Sequence, residues 1–201
     1  MKMFFSASSP FVRKVSVTAA ELGLTIDHQP EAANPVKRNR AILAQNPLGQ
    51  VPTFIADDGT VLYDSRVICE YLDAHAGGGR IFPAVGPQRW QVLVEQSLGD
   101  GLLDAALLAR YEVALRPEEK RWDGWFDGQL DKILTALDAM EEGATGYGDR
   151  VDIGTITIGC ALGYLDFRFA ELDWREGRPA LAAWQARFDA RPSMQASRPS
   201  A

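Results

Sequence analysis

The segment Ser6 to Val15, SASSPFVRKV, places three serines just before a proline, an aromatic ring and two cations. Alone, Ser9-Pro10 is a helix start: serine at the N-cap accepts from a free backbone N–H, and proline suits the first helical position because it lacks one. The same hydroxyl stands at the positive end of the helix dipole. There a thiolate is stabilised and a thiol pKa falls from about 8.5 toward neutrality. One residue can therefore cap a helix and serve a bound sulfur. Ser6 and Ser8 are alternatives, but only Ser9 holds the cap position.

Two further places could act on the same ligand. In Gln50-Val51-Pro52 a proline begins a strand after the breaker-rich turn Asn46-Pro47-Leu48-Gly49, which makes it a candidate cis bond. A cis bond would turn the N–H and C=O of Val51 away from the sheet, free to pair with a peptide-like ligand as a sheet edge pairs with an added strand. The plain alternative is an edge-strand proline. Asp64-Ser65 opens a helix, so Ser65 offers a hydroxyl and a backbone N–H to a carboxylate, and Asp64 can meet an ammonium. Together they suit an amino-acid head group, and equally an ordinary cap.

Other chemistries find less support. A net charge of −6 over 201 residues argues against binding a nucleic-acid backbone, which needs clustered Lys and Arg. The one basic run, Lys37 to Arg40 (KRNR), is short and reads as a solvated helix face. No apolar run reaches the roughly 18 residues of a membrane span, and no secretion signal precedes the first strand. Cys69 and Cys160 are far apart and fit no metal or redox spacing. They read as small buried hydrophobes of a reduced, cytoplasmic protein. His28 and His75 read as structural, and no metal is expected.

These residues need elements to position them. KMFFS at residues 2–6 reads as a strand feeding a helix from Pro10, whose apolar positions Val12, Val15, Ala19 and Leu22 run to a stop at Gly23. Leu24 to His28 is a second strand, and a polar helix follows over about 36–45. Residues 52–56 and 60–63 flank Asp57-Asp58-Gly59 as a hairpin. A helix from Asp64-Ser65 then presents Val67 or Ile68, Tyr71, Leu72 and His75, and ends at Gly77-Gly78-Gly79. The order β-α-β-α-β-β-α implies parallel pairing between the helix-separated strands, with an antiparallel hairpin at the edge.

After a linker at residues 81–87 the strand signals stop. One helical stripe joins Trp90, Leu93, Val94, Leu98, Leu102, Ala105 and Leu108, broken only by Gly99 and Gly101. A second joins Trp122, Trp125, Phe126, Leu130, Ile133, Leu134 and Leu137. Ile156, Cys160, Gly163 and Phe167 mark an apolar helix whose Gly159 and Gly163 suggest close packing. A last helix begins at Pro179 and closes at Pro192. The expected architecture is a small α/β domain over residues 1–78 and an all-helical domain over 86–201.

Ser-Pro-Phe after the first strand, N-P-L-G-Q-V-P before the third and D-S before the third helix resemble the glutathione transferase family in kind and order. Residues 156–168 (ITIGCALGYLDFR) resemble that family's buried central helix, and R-P-S-M-Q its usual ending. The likeness spans residues 1–195. It implies a thioredoxin-like N-terminal domain, a helical C-terminal domain and a homodimer. It also implies that Ser9 hydrogen-bonds the glutathione sulfur, that Val51 with Pro52 holds the cysteinyl backbone, and that Asp64 and Ser65 hold the γ-glutamyl end. Gln50 and Lys37 are partners for the glycyl end. Serine before Pro-Phe, where related groups can carry cysteine, favours stabilising a thiolate over thiol transfer.

The family's central helix starts with a Ser/Thr-x-x-Asp box; here Asp152 and Thr155 reverse it, and Asp152 still makes a good N-cap.

The electrophile pocket is expected between the domains, against the first long C-terminal helix, where Asp100, Asp104, Arg110, Tyr111 and Glu112 crowd together. Phe11, Asp104 and Tyr111 are its candidate lining, a solvated face with salt bridges being the plain alternative. The function implied is a glutathione-dependent transferase acting on a small electrophile. A non-catalytic glutathione-binding or stress-related protein stays open, as does a glutathione-dependent isomerase, dehalogenase or peroxidase.

Overall fold

The computed structural model describes residues 1–200. Its first part is a four-stranded sheet with three helices. β1 (Lys2–Phe5) leads to α1 (Pro10–Leu22), β2 (Asp27–Pro30), α2 (Arg40–Leu43), β3 (Thr53–Ile55), β4 (Val61–Leu62) and α3 (Ser65–His75). Five helices follow: α4 (Pro87–Ala114), α5 (Asp123–Tyr147), α6 (Ile153–Arg168), α7 (Pro179–Asp189) and α8 (Pro192–Ala196), with a 3-10 turn at Glu118–Lys120. This is a thioredoxin-like domain followed by a helical domain.

The sheet order is β2-β1-β3-β4, with β1 and β2 parallel and the other pairs antiparallel. Parallel pairing thus holds for β1 and β2 but not for β3, although α2 separates β2 from β3. A parallel return needs a crossover of a dozen or more residues, usually helical, that runs back along the sheet. α2 has four residues and only carries the chain across one end. β3 therefore enters from that end, antiparallel to β1.

Local polar groups explain where the elements differ from their expected bounds. Gly23 adopts φ 74°, its N–H donates to Ala20 O, and the Leu24 N–H donates to Ala19 O. This Schellman cap commits Leu24 to the end of α1, so β2 begins three residues later than its apolar pattern suggested. The side chain of Asn34 accepts from the N–H groups of Val36 and Lys37, each at 2.8 Å, and Asn39 caps α2 through the Ala41 N–H. Residues 34–38 are therefore a turn, and the helix expected over 36–45 shrinks to its second half. Pro192 opens α8 rather than ending the fold.

α4 is one helix through Gly99 and Gly101. A Cβ on Gly99 would stand 2.8 Å from the Thr157 methyl and 3.2 Å from the Thr157 carbonyl carbon, so the glycine sets how closely α4 meets α6. That contact also redirects the helix face. Gln96 and Asp100 are buried, while Trp90, Val94 and Leu108 of the apolar stripe are 67%, 68% and 42% exposed. Trp122, Trp125 and Leu134 of the second stripe are exposed as well. α6 is buried along almost its whole length. Its start is a capping box: Asp152 Oδ1 accepts from the Thr155 N–H at 3.0 Å, and the Asp152 N–H donates to Thr155 Oγ1 at 3.1 Å.

α1 joins the two halves. It packs on α3 within its own domain and on α6 and α8 across the divide. Its two cations are buried. Lys14 Nζ donates to Asp100 Oδ1 of α4 at 2.6 Å, with the two side chains 0% and 1% exposed, and Arg66 Nε donates to Asp100 Oδ2 at 2.9 Å. Arg13 Nη2 donates to Met194 O at 3.0 Å and to Asp189 Oδ1 at 3.3 Å. A Cβ on Gly163 would lie 2.1 Å from Arg13 Nη1, so that glycine of α6 makes room for the guanidinium. Near the end of α1, Glu21 takes both forks of Arg191 at 2.8 Å. The Arg191 hydrogen bonds, working against burial, hold the Glu21 carboxyl below its usual range.

Removing one partner of a buried ion pair leaves an uncompensated charge, at a cost of about 3–5 kcal/mol. Lys14→Met is expected to lower the free energy of unfolding by about that amount in urea melts. A loss under about 1 kcal/mol, the size of a surface pair, would show that Arg66 alone neutralises Asp100.

Candidate active site

A cleft of about 890 Å³ opens between the two halves. Its sheet-domain wall is built from four segments: the Ser6–Phe11 run, the turn holding residues 33–35 and Arg38, the Asn46–Pro52 turn and the Tyr63–Arg66 run. The facing wall is Asp104, Leu107, Leu108, Arg110, Tyr111 and Leu115 of α4 and its end, with Tyr164 and Arg168 of α6. Ser9, Gln50, Val51, Pro52, Asp64, Ser65, Phe11, Asp104 and Tyr111 all lie in this lining. Lys37 does not. It sits exposed in the turn that Asn34 closes, and its neighbour Arg38 lines the cleft instead.

Ser9 is the N-cap of α1, its Oγ accepting from the Val12 N–H at 3.3 Å. A hydroxyl accepts through a lone pair and still has its hydrogen to donate. The cap therefore does not use up Ser9. Ser6 and Ser8 line the same cleft with their hydroxyls 3.3 Å apart, which leaves both within the site.

The Val51-Pro52 peptide bond is cis. The turn before it is tied from inside: Asn46 donates to Thr53 Oγ1 at 2.9 Å, and Thr53 Oγ1 donates to Gln50 O at 2.8 Å. No hydrogen bond of the described residues engages the Val51 N–H or C=O. Asp64 caps α3 by accepting the Arg66 N–H at 2.9 Å, and Ser65 is the first, buried residue of that helix. Two helix N-termini, α1 and α3, thus face one cleft, and each presents free N–H groups and a positive dipole end to an electronegative ligand.

The charged cluster on α4 divides by position. Asp100 is consumed by Lys14 and Arg66, and Glu112 by Arg116 and the Trp122 N–H. Asp104, Arg110 and Tyr111 reach the cleft. Burial, then the Asp100 charge, raises the Asp104 pKa. Burial pushes the Tyr164 hydroxyl up to about 12, so it stays a neutral donor at physiological pH.

Arg38, Arg66, Tyr164 and Arg168 were not among the sequence candidates. Tyr164 and Arg168 lay within the run read as a buried central helix, and a four-residue spacing at its end was the only sign that both face one side.

Other chemistry finds no support in the geometry. Cys69 and Cys160 are free and fully buried, their thiols pushed up to about 12 and about 11 by burial. No group of His, Cys, Asp and Glu among the described residues could hold a metal. His28 stacks on Phe5 with ring centroids 4.4 Å apart. No helix among the described residues is long and apolar enough to cross a membrane.

Residues 3–80 match the family model for the N-terminal domain of glutathione S-transferase, and residues 123–187 match the one for its C-terminal domain. The chain belongs to the glutathione S-transferase family. It is 32% identical over 202 residues to YibF of Escherichia coli (strain K12), described as an uncharacterized GST-like protein, covering 99% of this chain and 98% of that one. A glutathione transferase family member from Pseudomonas fluorescens Pf-5, solved with bound glutathione, is 45% identical with a TM-score of 0.97 and covers 100% of this chain and 99% of that one. A glutathione S-transferase from Methylobacillus flagellatus, also solved with glutathione, is 34% identical with a TM-score of 0.90 and 99% coverage of both chains.

The burial of both cysteines gives a direct test. With thiol pKa values near 11 and 12, the folded protein is expected to show no thiol reactive toward Ellman's reagent at pH 8. Two should appear on denaturation. A thiol that reacts in the folded state would mean that one of the two is open to solvent.

Proposed function

We propose that the protein is a cytoplasmic glutathione transferase that binds glutathione along the sheet-domain wall and activates its thiolate for attack on a small electrophile. The observation that carries this is the convergence of Ser9, the unengaged main chain of Val51 and the Asp64-Ser65 helix start on one cleft. Each offers what one part of a γ-glutamyl-cysteinyl-glycine chain needs. Asp64 and Ser65 take the amino-acid head group, Val51 pairs with the cysteinyl main chain, and Gln50 with Arg38 lies toward the glycyl end. The two relatives solved with glutathione support the choice of ligand. So does a second structure of the Pseudomonas protein, 44% identical, with bound S-(propanoic acid)-glutathione.

Ser9 does the activating. Its hydroxyl hydrogen points to the bound sulfur while its oxygen keeps the cap, and the α1 dipole adds positive potential at the same place. Both favour thiolate over thiol, and no acid–base dyad is required. The electrophile is held against α4, so that its reacting carbon meets a sulfur already in place.

A homodimer belongs to the same proposal. Val67 on α3 and Trp90 and Val94 on α4 are exposed apolar side chains, and a second copy would cover them. Light scattering is expected to give twice the chain mass, and Trp90→Glu to give the monomer. A monomeric wild type at micromolar concentration would remove the dimer.

A hydrogen bond to a charged group contributes about 1.5–3 kcal/mol, and each pKa unit corresponds to about 1.36 kcal/mol. Ser9→Ala is therefore expected to raise the thiol pKa of bound glutathione by about one to two units. Thiolate absorbance at neutral pH should fall accordingly, with glutathione still bound. Binding by wild type without thiolate formation would leave Ser9 a cap and rule out conjugation.

A further inference from the structure

The α4 and α6 wall of the cleft carries two cations for which the protein supplies no counter-charge. Arg110 and Arg168 both line it, and neither forms an ion pair or donates a hydrogen bond within the described residues. Arg168 Nε is shut off from solvent and has no partner. Its guanidinium lies 3.9 Å from the centre of the Phe167 ring, which fixes its plane. Elsewhere the arginines withdrawn from solvent meet carboxylates: Arg13 with Asp189, Arg150 with Glu95 and Asp152, Arg178 with Asp138, and Arg191 with Glu21. Arg110 and Arg168 break that rule, and both line the cleft.

A buried donor on a cation is costly to leave unmade. Burial and the neighbouring Arg110 charge both weaken the hold of Arg168 on its proton. An anion placed between the two guanidiniums would relieve both effects. Tyr164 lies one turn before Arg168 on α6 and adds a neutral hydroxyl donor; Tyr111 adds a second beside Arg110.

The acid in the same cleft does not cancel this. Asp104 forms no ion pair with Arg110 or Arg168 among the described residues, and it precedes Arg110 by six residues, roughly 9 Å along the helix. Leu107 and Leu108 lie between them.

We infer that Arg110 and Arg168 bind a carboxylate on the second substrate, so that the electrophile is an organic acid whose apolar body lies along Leu107 and Leu108. This rests on glutathione occupying the opposite wall. It narrows the substrate class from electrophiles in general to those bearing a carboxylate, with Arg168 as the main determinant of specificity. Arg forks match a carboxylate with two parallel hydrogen bonds.

The test uses the full chain, calorimetry at pH 7 and three probes: glutathione, S-propylglutathione and S-(2-carboxyethyl)glutathione. The last two differ in ending the S-substituent with a methyl or a carboxylate. The acid conjugate is expected to bind on the order of tenfold more tightly than the neutral one. Arg110→Met and Arg168→Met should each remove most of that preference while leaving glutathione affinity in place. Arg168→Lys keeps the charge and the stem over Phe167, and should keep part of the preference. If Arg168→Met does not fold, Arg168→Lys and Arg110→Met still decide.

Equal binding of the two conjugates by wild type overturns the inference. So does a preference that survives the variants, or variants that weaken glutathione itself as much as the acid conjugate, since the arginines would then serve the tripeptide's own carboxylate. Absence of glutathione binding by wild type would instead defeat the proposed function on which this stands.

Discussion

A lysine with no exposed surface needs a carboxylate, and the carboxylate that meets Lys14 belongs to the other domain. Both charges of the Lys14–Asp100 pair are out of water, so neither domain can bury its half without the other. Because α1 carries Lys14 five residues after Ser9, the pair also fixes how the start of α1 stands against α4. The cleft is the gap left when those two helices are held at this spacing. Arg66 brings α3 to the same aspartate, so both helices whose N-termini face the cleft are tied to one side chain of α4.

The cleft wall on the sheet side is made of element ends and turns. Helix starts and the residue before a strand are where backbone groups lack internal partners, and Ser9, Val51 and Ser65 occupy three such places. The facing wall is different in kind. It is made of side chains from the C-terminal part of α4 and the end of α6, and nothing in the backbone dictates them. The first wall suits a constant ligand read through its main chain. The second can vary without disturbing the fold, which is the division expected of an enzyme with one fixed co-substrate and a variable partner.

That division also explains what was legible in the sequence. Capping serine, turn and hairpin signals are local, so the element order and the sheet-side wall could be read from short stretches. β3 pairing antiparallel to β1 could not, because it depends on how far a four-residue helix can carry the chain. Nothing near Arg13 and Lys14 in the sequence marks them as buried, since their acids lie 176 and 86 residues away. The apolar stripe of α4 pointed to Trp90 and Val94 because periodicity assumes that polar residues face water, whereas Gln96 and Asp100 are buried, Asp100 against Lys14 of α1 and Arg66 of α3. Arg110 and Arg168 meet only through the packing of two helices far apart in sequence. Lys37 and Arg38 are adjacent in sequence, and only the Asn34 turn decides which of them reaches the cleft.

The hold of the final helix on α1 has a consequence for how the chain is made. Glu21 waits for Arg191, 170 residues later, and Arg13 for the carbonyl of Met194, 181 residues later. As the ribosome delivers the chain from its N-terminus, the sheet domain emerges first with two cations on α1 and none of their partners. It can form its strands and pack α1 on α3, but Lys14 has no Asp100 until α4 arrives, and Arg13 no Met194 carbonyl until α8 does. The contacts that lock α1 to the rest of the molecule are therefore among the last that synthesis makes available.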